Sequence, residues 1–211
     1  MSFHTQISMD EAILLGQPGD LLVDCDGVLL NWLAGFMRHA RENSGRNLDP
    51  AGPNSFNLRD WLQAESDQQV QDMIMDFNMG ACGSFGRLPA LDGAVDALQA
   101  VHKAGRGIHV ITACSNTPDV VQMRRQNLLE VFGDIFSSLL CVDLHEGKGS
   151  HLARFQGGIW VEDNYQNAID GAREGHQAFV LRAPYNKIHE EDDHEHPVIF
   201  VDRWADIIPH L

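Results

Sequence analysis

Short, continuous apolar runs recur along the chain, and most are separated by stretches with helical spacing. Leu21-Leu22-Val23 is the first and ends on Asp24. It is followed by Ile108-His109-Val110-Ile111, Leu139-Leu140-Cys141-Val142, Ile159-Trp160-Val161, Ala178-Phe179-Val180-Leu181 and Val198-Ile199-Phe200-Val201. Runs this short and this rich in β-branched residues predict strands buried on both faces. Between them, Ala94 to Lys103 repeats apolar residues at helical spacing. Thr117 to Phe132 opens on Thr-Pro and stops at Gly133, as a helix does. Strands and helices in alternation predict an α/β fold, a Rossmann-like, doubly wound parallel sheet.

One region breaks the alternation. Trp32 to Arg41 has a helical pattern. Asp60 to about Asn78 reads as one or two more helices, with Trp61, Val70, Met73, Ile74 and Phe77 apolar, and Pro50-Ala51-Gly52-Pro53 marks a loop between them. No buried strand is evident from Trp32 to about Arg87, and more than 50 residues is long for one crossover. The expected organisation is a core formed by residues 1–31 and 88–211, with a small helical cap, 32–87, inserted after the first strand.

Composition narrows the partners. The 211 residues carry 15 Lys+Arg against 30 Asp+Glu, a formal net charge of -15. That field repels polyanions, so a nucleic acid polymer is not expected to bind. A small phosphorylated molecule remains possible, because a metal ion and one lysine reverse the field locally. The four cysteines, Cys25, Cys82, Cys114 and Cys141, form no CxxC pair and no zinc spacing. They read as free, buried thiols of a reducing compartment. Met1 to Glu11 lacks the basic-then-apolar pattern of a signal peptide. No apolar run reaches the roughly 18 residues that span a bilayer. A soluble, cytoplasmic protein without a membrane partner is expected.

The candidate chemistry lies where strands end. Asp24-Cys25-Asp26-Gly27-Val28 follows the first apolar run, and residues two apart in extended chain point the same way. Two carboxylates therefore meet at the carboxyl edge of a strand, where open α/β sheets bind ligands. One carboxylate can attack phosphorus and the other can shuttle a proton. Both suit Mg²⁺, which prefers oxygen ligands. The bland alternative is that Asp24 and Asp26 cap the next turn. Thr112 ends the second run. Its hydroxyl and the free N–H groups of the turn that begins at Ala113 would cradle an anion, although Thr also caps helices. Lys148, between Gly147 and Gly149, would neutralise phosphate, or would be a plain surface lysine. Glu162-Asp163 closes the run Ile159-Trp160-Val161. Buried carboxylates are costly without a partner, and a metal is the natural one. The acidic stretch His189 to His196 reads as a solvated loop, with a lid or an adventitious metal site as alternatives.

The order Asp-x-Asp-Gly-Val, Thr, Lys, Glu-Asp resembles the four motifs of the haloacid dehalogenase (HAD) superfamily. The resemblance implies a sheet with its first strand at the centre. It implies Asp24 as nucleophile and Mg²⁺ ligand, and Asp26 as acid/base that ligates through its backbone carbonyl. Thr112, Ala113 and Lys148 would hold the phosphoryl group. Asp163 would complete the metal site, with Glu162 helping directly or through water. A second aspartate, Asp26, favours phosphoryl chemistry over dehalogenation within the superfamily. More narrowly, Asp24-Cys25-Asp26-Gly27-Val28-Leu29, Leu88-Pro89-Ala90-Leu91-Asp92-Gly93-Ala94 and Trp204-Ala205-Asp206 resemble the 5′(3′)-deoxyribonucleotidase branch. That branch implies a small helical cap, a nucleoside monophosphate substrate and an aromatic platform for its base just after the first motif, where Trp32 stands. Trp32 could instead pack between cap and core, and a phosphatase for another small phosphate ester or an inactive HAD-fold binding module stay open as alternatives to a nucleotidase. The chain departs from the branch at Glu162, where an aspartate is usual, and at Ala113-Cys114-Ser115, where Ser-Pro is usual.

Overall fold

The structure is a computed structural model that describes residues 16–79, 83–144, 146–192 and 195–211. Six strands, β1 (Leu21–Val23), β2 (Ile108–Ala113), β3 (Ser138–Val142), β4 (Ile159–Glu162), β5 (Gln177–Leu181) and β6 (Ile199–Val201), form one sheet. Their order is β3-β2-β1-β4-β5-β6, and every pairing is parallel. The doubly wound sheet expected from the apolar runs is the observed one, with β1 at its centre. Each run became a strand within a residue or two of its apolar limits, but β6, at the sheet edge, is not buried on both faces as expected, and its Ile199 is 39% exposed.

Alternate residues separate the two faces. Leu21, Val23, Val110, Leu139, Val161 and Phe179 join one apolar cluster, while Leu22, Ile111, Leu140, Trp160 and Val180 join the other. The helices α4 (Ala94–Lys103), α5 (Pro118–Phe132) and α8 (Trp204–Ile207) contribute to the first cluster. The second is covered by α6 (Gly149–Leu152) and α7 (Tyr165–Arg173).

Between β1 and α4 the chain forms α1 (Trp32–Ser44), α2 (Arg59–Leu62) and α3 (Asp67–Met79), and no strand among the described residues. Phe36, Ala40, Leu62, Phe77 and Phe85 of this segment belong to the same apolar cluster as β1. The segment is tied down where it returns to the sheet. Asn127 on α5 accepts from the Leu88 N–H and donates to the Leu88 carbonyl, both at 2.9 Å, so one carboxamide imitates a strand partner. Among the described residues no helix is long and apolar enough to cross a membrane. Cys25, Cys114 and Cys141 are free and buried, as read from the sequence. Cys82, the segment Met1 to Glu11 and part of the acidic stretch lie outside the described residues.

Trp204 closes the base of this packing. It is fully buried and donates its indole N–H to the Val28 carbonyl at 2.9 Å, across 176 residues of sequence. Trp204→Ala is expected to cost about 3–5 kcal/mol, the usual range for deleting a large buried ring. Urea unfolding followed by circular dichroism measures it, and a cost under about 1 kcal/mol would mean that the ring is not part of the core.

Candidate active site

The central strand ends on Asp24, whose N–H still pairs with the Val161 carbonyl of β4 at 2.9 Å. The next residues turn back sharply, with Leu29 and Leu30 N–H groups both donating to the Cys25 carbonyl. Asp24 thus stands at the carboxyl edge of the sheet beside the end of β4, where Glu162 and Asp163 emerge. Carboxylate oxygens of Asp24, Glu162 and Asp163 lie within 4.8 Å of one another, and all three residues are buried.

Lys148 holds this group together. It is only 1% exposed, so its reading as a surface lysine is wrong. Its ammonium donates to Asp24 Oδ1 at 2.6 Å and to Glu162 Oε2 at 2.7 Å. Burial alone would lower its pKa, but the two carboxylates overturn that and hold it above the ordinary lysine range. The other Glu162 oxygen accepts the N–H groups of Asp163 and Asn164 at 3.2 and 3.1 Å. Glu162 is therefore committed to orienting Lys148 and the turn after β4. Burial, then the Glu162 and Asp24 charges, push Asp163 well above the usual carboxylate range, and Tyr185 opposes this by a hydrogen bond. Three carboxylates against one ammonium leave the cluster short of positive charge. That deficit and the all-oxygen donor set fit a hard divalent cation.

Two further residues, absent from the sequence reading, set Asp163. The Tyr185 hydroxyl donates to Asp163 Oδ2. Asn186 is fully buried and donates to the Asp163 and Leu181 carbonyls at 2.9 and 2.8 Å, fixing the loop that carries Tyr185. Such a loop residue leaves no periodic signal, so pattern analysis passes over it.

Asp26 is not free in the way two spaced carboxylates suggested. Nη2 of Arg124 donates to both of its oxygens, at 2.6 and 2.7 Å. Burial raises the Asp26 pKa, Arg124 lowers it and Asp24 raises it, leaving it at about 6. Arg124 is itself fully buried and lies 4.0 Å over the Phe85 ring. A signal for it existed: Arg124 falls on the stripe Val120, Arg124, Leu128 of α5, and an arginine on an apolar stripe needs a buried anion.

The turn after β2 also differs from expectation. Its N–H groups are not available as a cradle. Cys114 and Ser115 both donate to the Val142 carbonyl at 3.1 Å, Asn116 donates to Asp143 Oδ1 at 3.4 Å and Thr117 to Ser115 Oγ at 3.2 Å. The pairing of β2 with β3 runs one residue past Thr112, to Ala113 and Val142, and draws the turn into the sheet. Thr112 is buried, and its hydroxyl has no hydrogen-bond partner among the described residues. Ala113 reaches the cavity wall, whereas Thr112 does not.

A cavity of about 740 Å³ opens over the carboxylates. Asp24, Asp26, Lys148, Glu162 and Asp163 form its floor, and Trp32, Leu33, Phe56 and Ile74 line it from the helical segment. Trp32 packs among the helices and also reaches the cavity. Its ring stacks on Phe36 with centroids 4.8 Å apart and meets Phe77 edge-on at 5.5 Å. Phe56 meets Tyr185 with ring centroids 4.8 Å apart, joining the helical segment to the loop after β5. The acidic stretch is less free than a solvated loop. His189 stacks on Tyr165 at 4.6 Å, and Glu190 pairs with Arg182, a cavity residue, at 3.2 Å.

Gly27 permits the approach of Asp163. It has φ +80°, and a Cβ there would stand 2.2 Å from Asp163 Oδ2 and 2.9 Å from the Tyr185 hydroxyl. Gly27→Ala is expected to cost about 1–3 kcal/mol, the range for locally stored backbone strain. An unchanged urea midpoint would mean that Asp163 does not sit against this turn.

No family model matches the chain, and no curated protein matches it. Solved structures do. A dehalogenase with an intermediate complex is 12% identical, with 94% of this chain and 99% of that one covered at a TM-score of 0.58. A predicted phosphoglycolate phosphatase from Haemophilus somnus is 16% identical, with 95% and 99% covered at 0.55. A HAD hydrolase of family IA, variant 3, from Entamoeba histolytica is 17% identical, with 90% and 95% covered at 0.54. At such identities the likeness carries the fold alone, and this chain shares the fold of these structures.

Proposed function

We propose that the chain is a Mg²⁺-dependent phosphomonoesterase that works through an aspartyl-phosphate on Asp24, with a nucleoside monophosphate as substrate. One observation carries the reading. A buried carboxylate at the end of the central strand is gripped by a buried lysine and faces, with two further carboxylates, a cavity large enough for a small organic phosphate. A structural carboxylate needs no such opening. Dehalogenation, named for three solved structures of this fold, has no use for a second carboxylate two residues on, and Asp26 is there.

In this reading Lys148 holds Oδ1 of Asp24 and so turns the carboxylate toward the phosphorus. Asp24 attacks, the bond to the leaving oxygen breaks, and Asp26 gives that oxygen a proton. Asp26 then takes a proton from water, which attacks the phosphorus and releases phosphate and free Asp24. The Arg124 contact leaves each Asp26 oxygen a second lone pair for that proton. Mg²⁺, held by Asp24, Asp163 and the Asp26 backbone carbonyl with Glu162 behind Lys148, would neutralise charge on the phosphoryl oxygens. The helical segment 32–87 acts as a cap that encloses the leaving group, and Trp32 offers it an aromatic face. Support for the nucleotide comes from that face and from the likeness of the motifs to deoxyribonucleotidases.

Phosphate release from a panel of nucleoside monophosphates tests the reading. Turnover should vanish in EDTA, and Asp24→Asn should lower kcat by several orders of magnitude. Full activity without metal, or near-normal turnover of the variant, would overturn it.

The metal has a second readout. Glu162 and Asp163 titrate above their ordinary values when folded. At these two groups the folded chain then holds more protons than the unfolded chain from about pH 4 upward, so their own contribution to stability falls as pH rises through that window. Mg²⁺ binds the ionised carboxylates and offsets the loss. The rise in Tm on adding Mg²⁺ should be larger at pH 7.5 than at pH 5, and an equal or smaller rise would place the ion elsewhere.

Stacking of a base on an aromatic ring is worth about 1–3 kcal/mol. Trp32→Ala should therefore raise KM for a nucleoside monophosphate roughly ten- to a hundredfold more than for para-nitrophenyl phosphate. Equal losses on both would return Trp32 to packing with Phe36 alone.

A further inference from the structure

Tyr185 stands between Asp163 and the helical segment. Its hydroxyl donates to Asp163 Oδ2. Its backbone is fixed from the core side. Asn186 is fully buried, donates to the Asp163 and Leu181 carbonyls and accepts the Ala183 N–H at 2.9 Å. What stays adjustable is the Tyr185 ring, which turns about its side-chain bonds. On the hydroxyl side it lies against the turn at Gly27, where a Cβ would stand 2.9 Å from the oxygen. Its other neighbour is Phe56, with ring centroids 4.8 Å apart and planes at 66°, an arrangement aromatic pairs favour.

Phe56 lies in the loop between α1 and α2. It is 44% exposed and belongs to neither apolar cluster. The side-chain hydrogen bonds of that loop stay within the helical segment. Core packing therefore does not explain where Phe56 sits, and its ring contact among the described residues is Tyr185. Both rings line the cavity. The contacts form a chain from Phe56 to Tyr185 to Asp163. We infer that Phe56 is a positioning residue for the metal site, which through Tyr185 fixes the Asp163 carboxylate and so couples the loop of the cap to binding of the cation. The inference rests on the Mg²⁺ site of the reading above and not on its ester chemistry. A carboxylate already oriented by a neighbouring donor binds a metal without first being ordered, and losing such a donor weakens metal affinity about ten- to a hundredfold. Linkage makes the coupling reciprocal, so the bound cation steadies the loop in turn.

Calorimetric titration of Mg²⁺ into the protein, with no substrate present, tests this. Asp163→Asn identifies the heat that belongs to the site. Tyr185→Phe, which deletes the hydroxyl and keeps the ring, should raise the Kd for Mg²⁺ about ten- to a hundredfold. Phe56→Leu should raise it about fivefold or more, and Phe56→Tyr, which keeps the ring, should bind as the wild type does. In the Tyr185→Phe background, Phe56→Leu should have no further effect. A Phe56→Leu variant with the wild-type Kd overturns the inference. So does an equal loss with and without the hydroxyl, because Phe56 would then act by another route. A circular dichroism melt reports whether Tyr185→Phe folds. If it does not, Phe56→Leu against Phe56→Tyr decides alone, and equal Kd values overturn the inference. If the wild-type protein binds no Mg²⁺, by heat or by a rise in Tm, the metal site itself fails and takes this inference with it. If the wild type binds and Phe56→Leu binds equally well, only the role of Phe56 fails.

Discussion

Three carboxylates buried against one another at the end of a sheet cannot stand without a cation, and the Lys148 ammonium is the cation the chain itself supplies. The sheet order creates the problem. With β1 beside β4, Asp24 and the Glu162-Asp163 pair emerge side by side from adjacent parallel strands. The same order supplies the remedy, because the loop after β3 brings Lys148 back over them. Lys148 reaches both Asp24 and Glu162, so neither carboxylate is oriented independently of the other. What surrounds the cluster serves to keep that arrangement in place. Glu162 also receives two backbone N–H groups of the following turn, Tyr185 and Asn186 hold Asp163, and Gly27 leaves it room.

The second ion pair has a different character. Arg124 and Asp26 join α5 to the turn after β1, and Arg124 is wholly buried, with Nε and Nη1 unsatisfied among the described residues. An arginine so placed contributes orientation more than stability, since the desolvation of a guanidinium offsets much of what the ion pair returns. It holds a carboxylate that also lines the cavity. The floor of the cavity is thus set by two buried cations, Lys148 fixing Asp24 and Glu162, and Arg124 fixing Asp26.

The wall above the polar floor is built by the helical segment, and it is mostly apolar. Trp32, Leu33, Phe56 and Ile74 line it. Small-molecule sites have this composition, with apolar surface for affinity and a few placed polar groups for choice. Because the segment shares its apolar cluster with β1, the wall is anchored to the same core that positions Asp24.

Local pattern settled a good deal of this protein. Strand positions, the helices α4 and α5 and the helical character of residues 32–87 are written in apolar spacing, which acts between near neighbours. Asp24, Lys148, Glu162 and Asp163 were legible because each sits at or near an edge where a buried run stops, and the structure brings those four together. Thr112 was legible as a residue but not as an environment, since the reach of the β2–β3 pairing decides whether the turn's N–H groups are free. The remainder depended on distance along the chain. Asp26 meets Arg124 across 98 residues and Asp24 meets Lys148 across 124. No local periodicity encodes such partners. The sequence by itself determined which side chains end the strands. Tertiary structure alone decided which charges face one another, because parallel strands must be joined by long crossovers and only the finished sheet order sets their edges side by side.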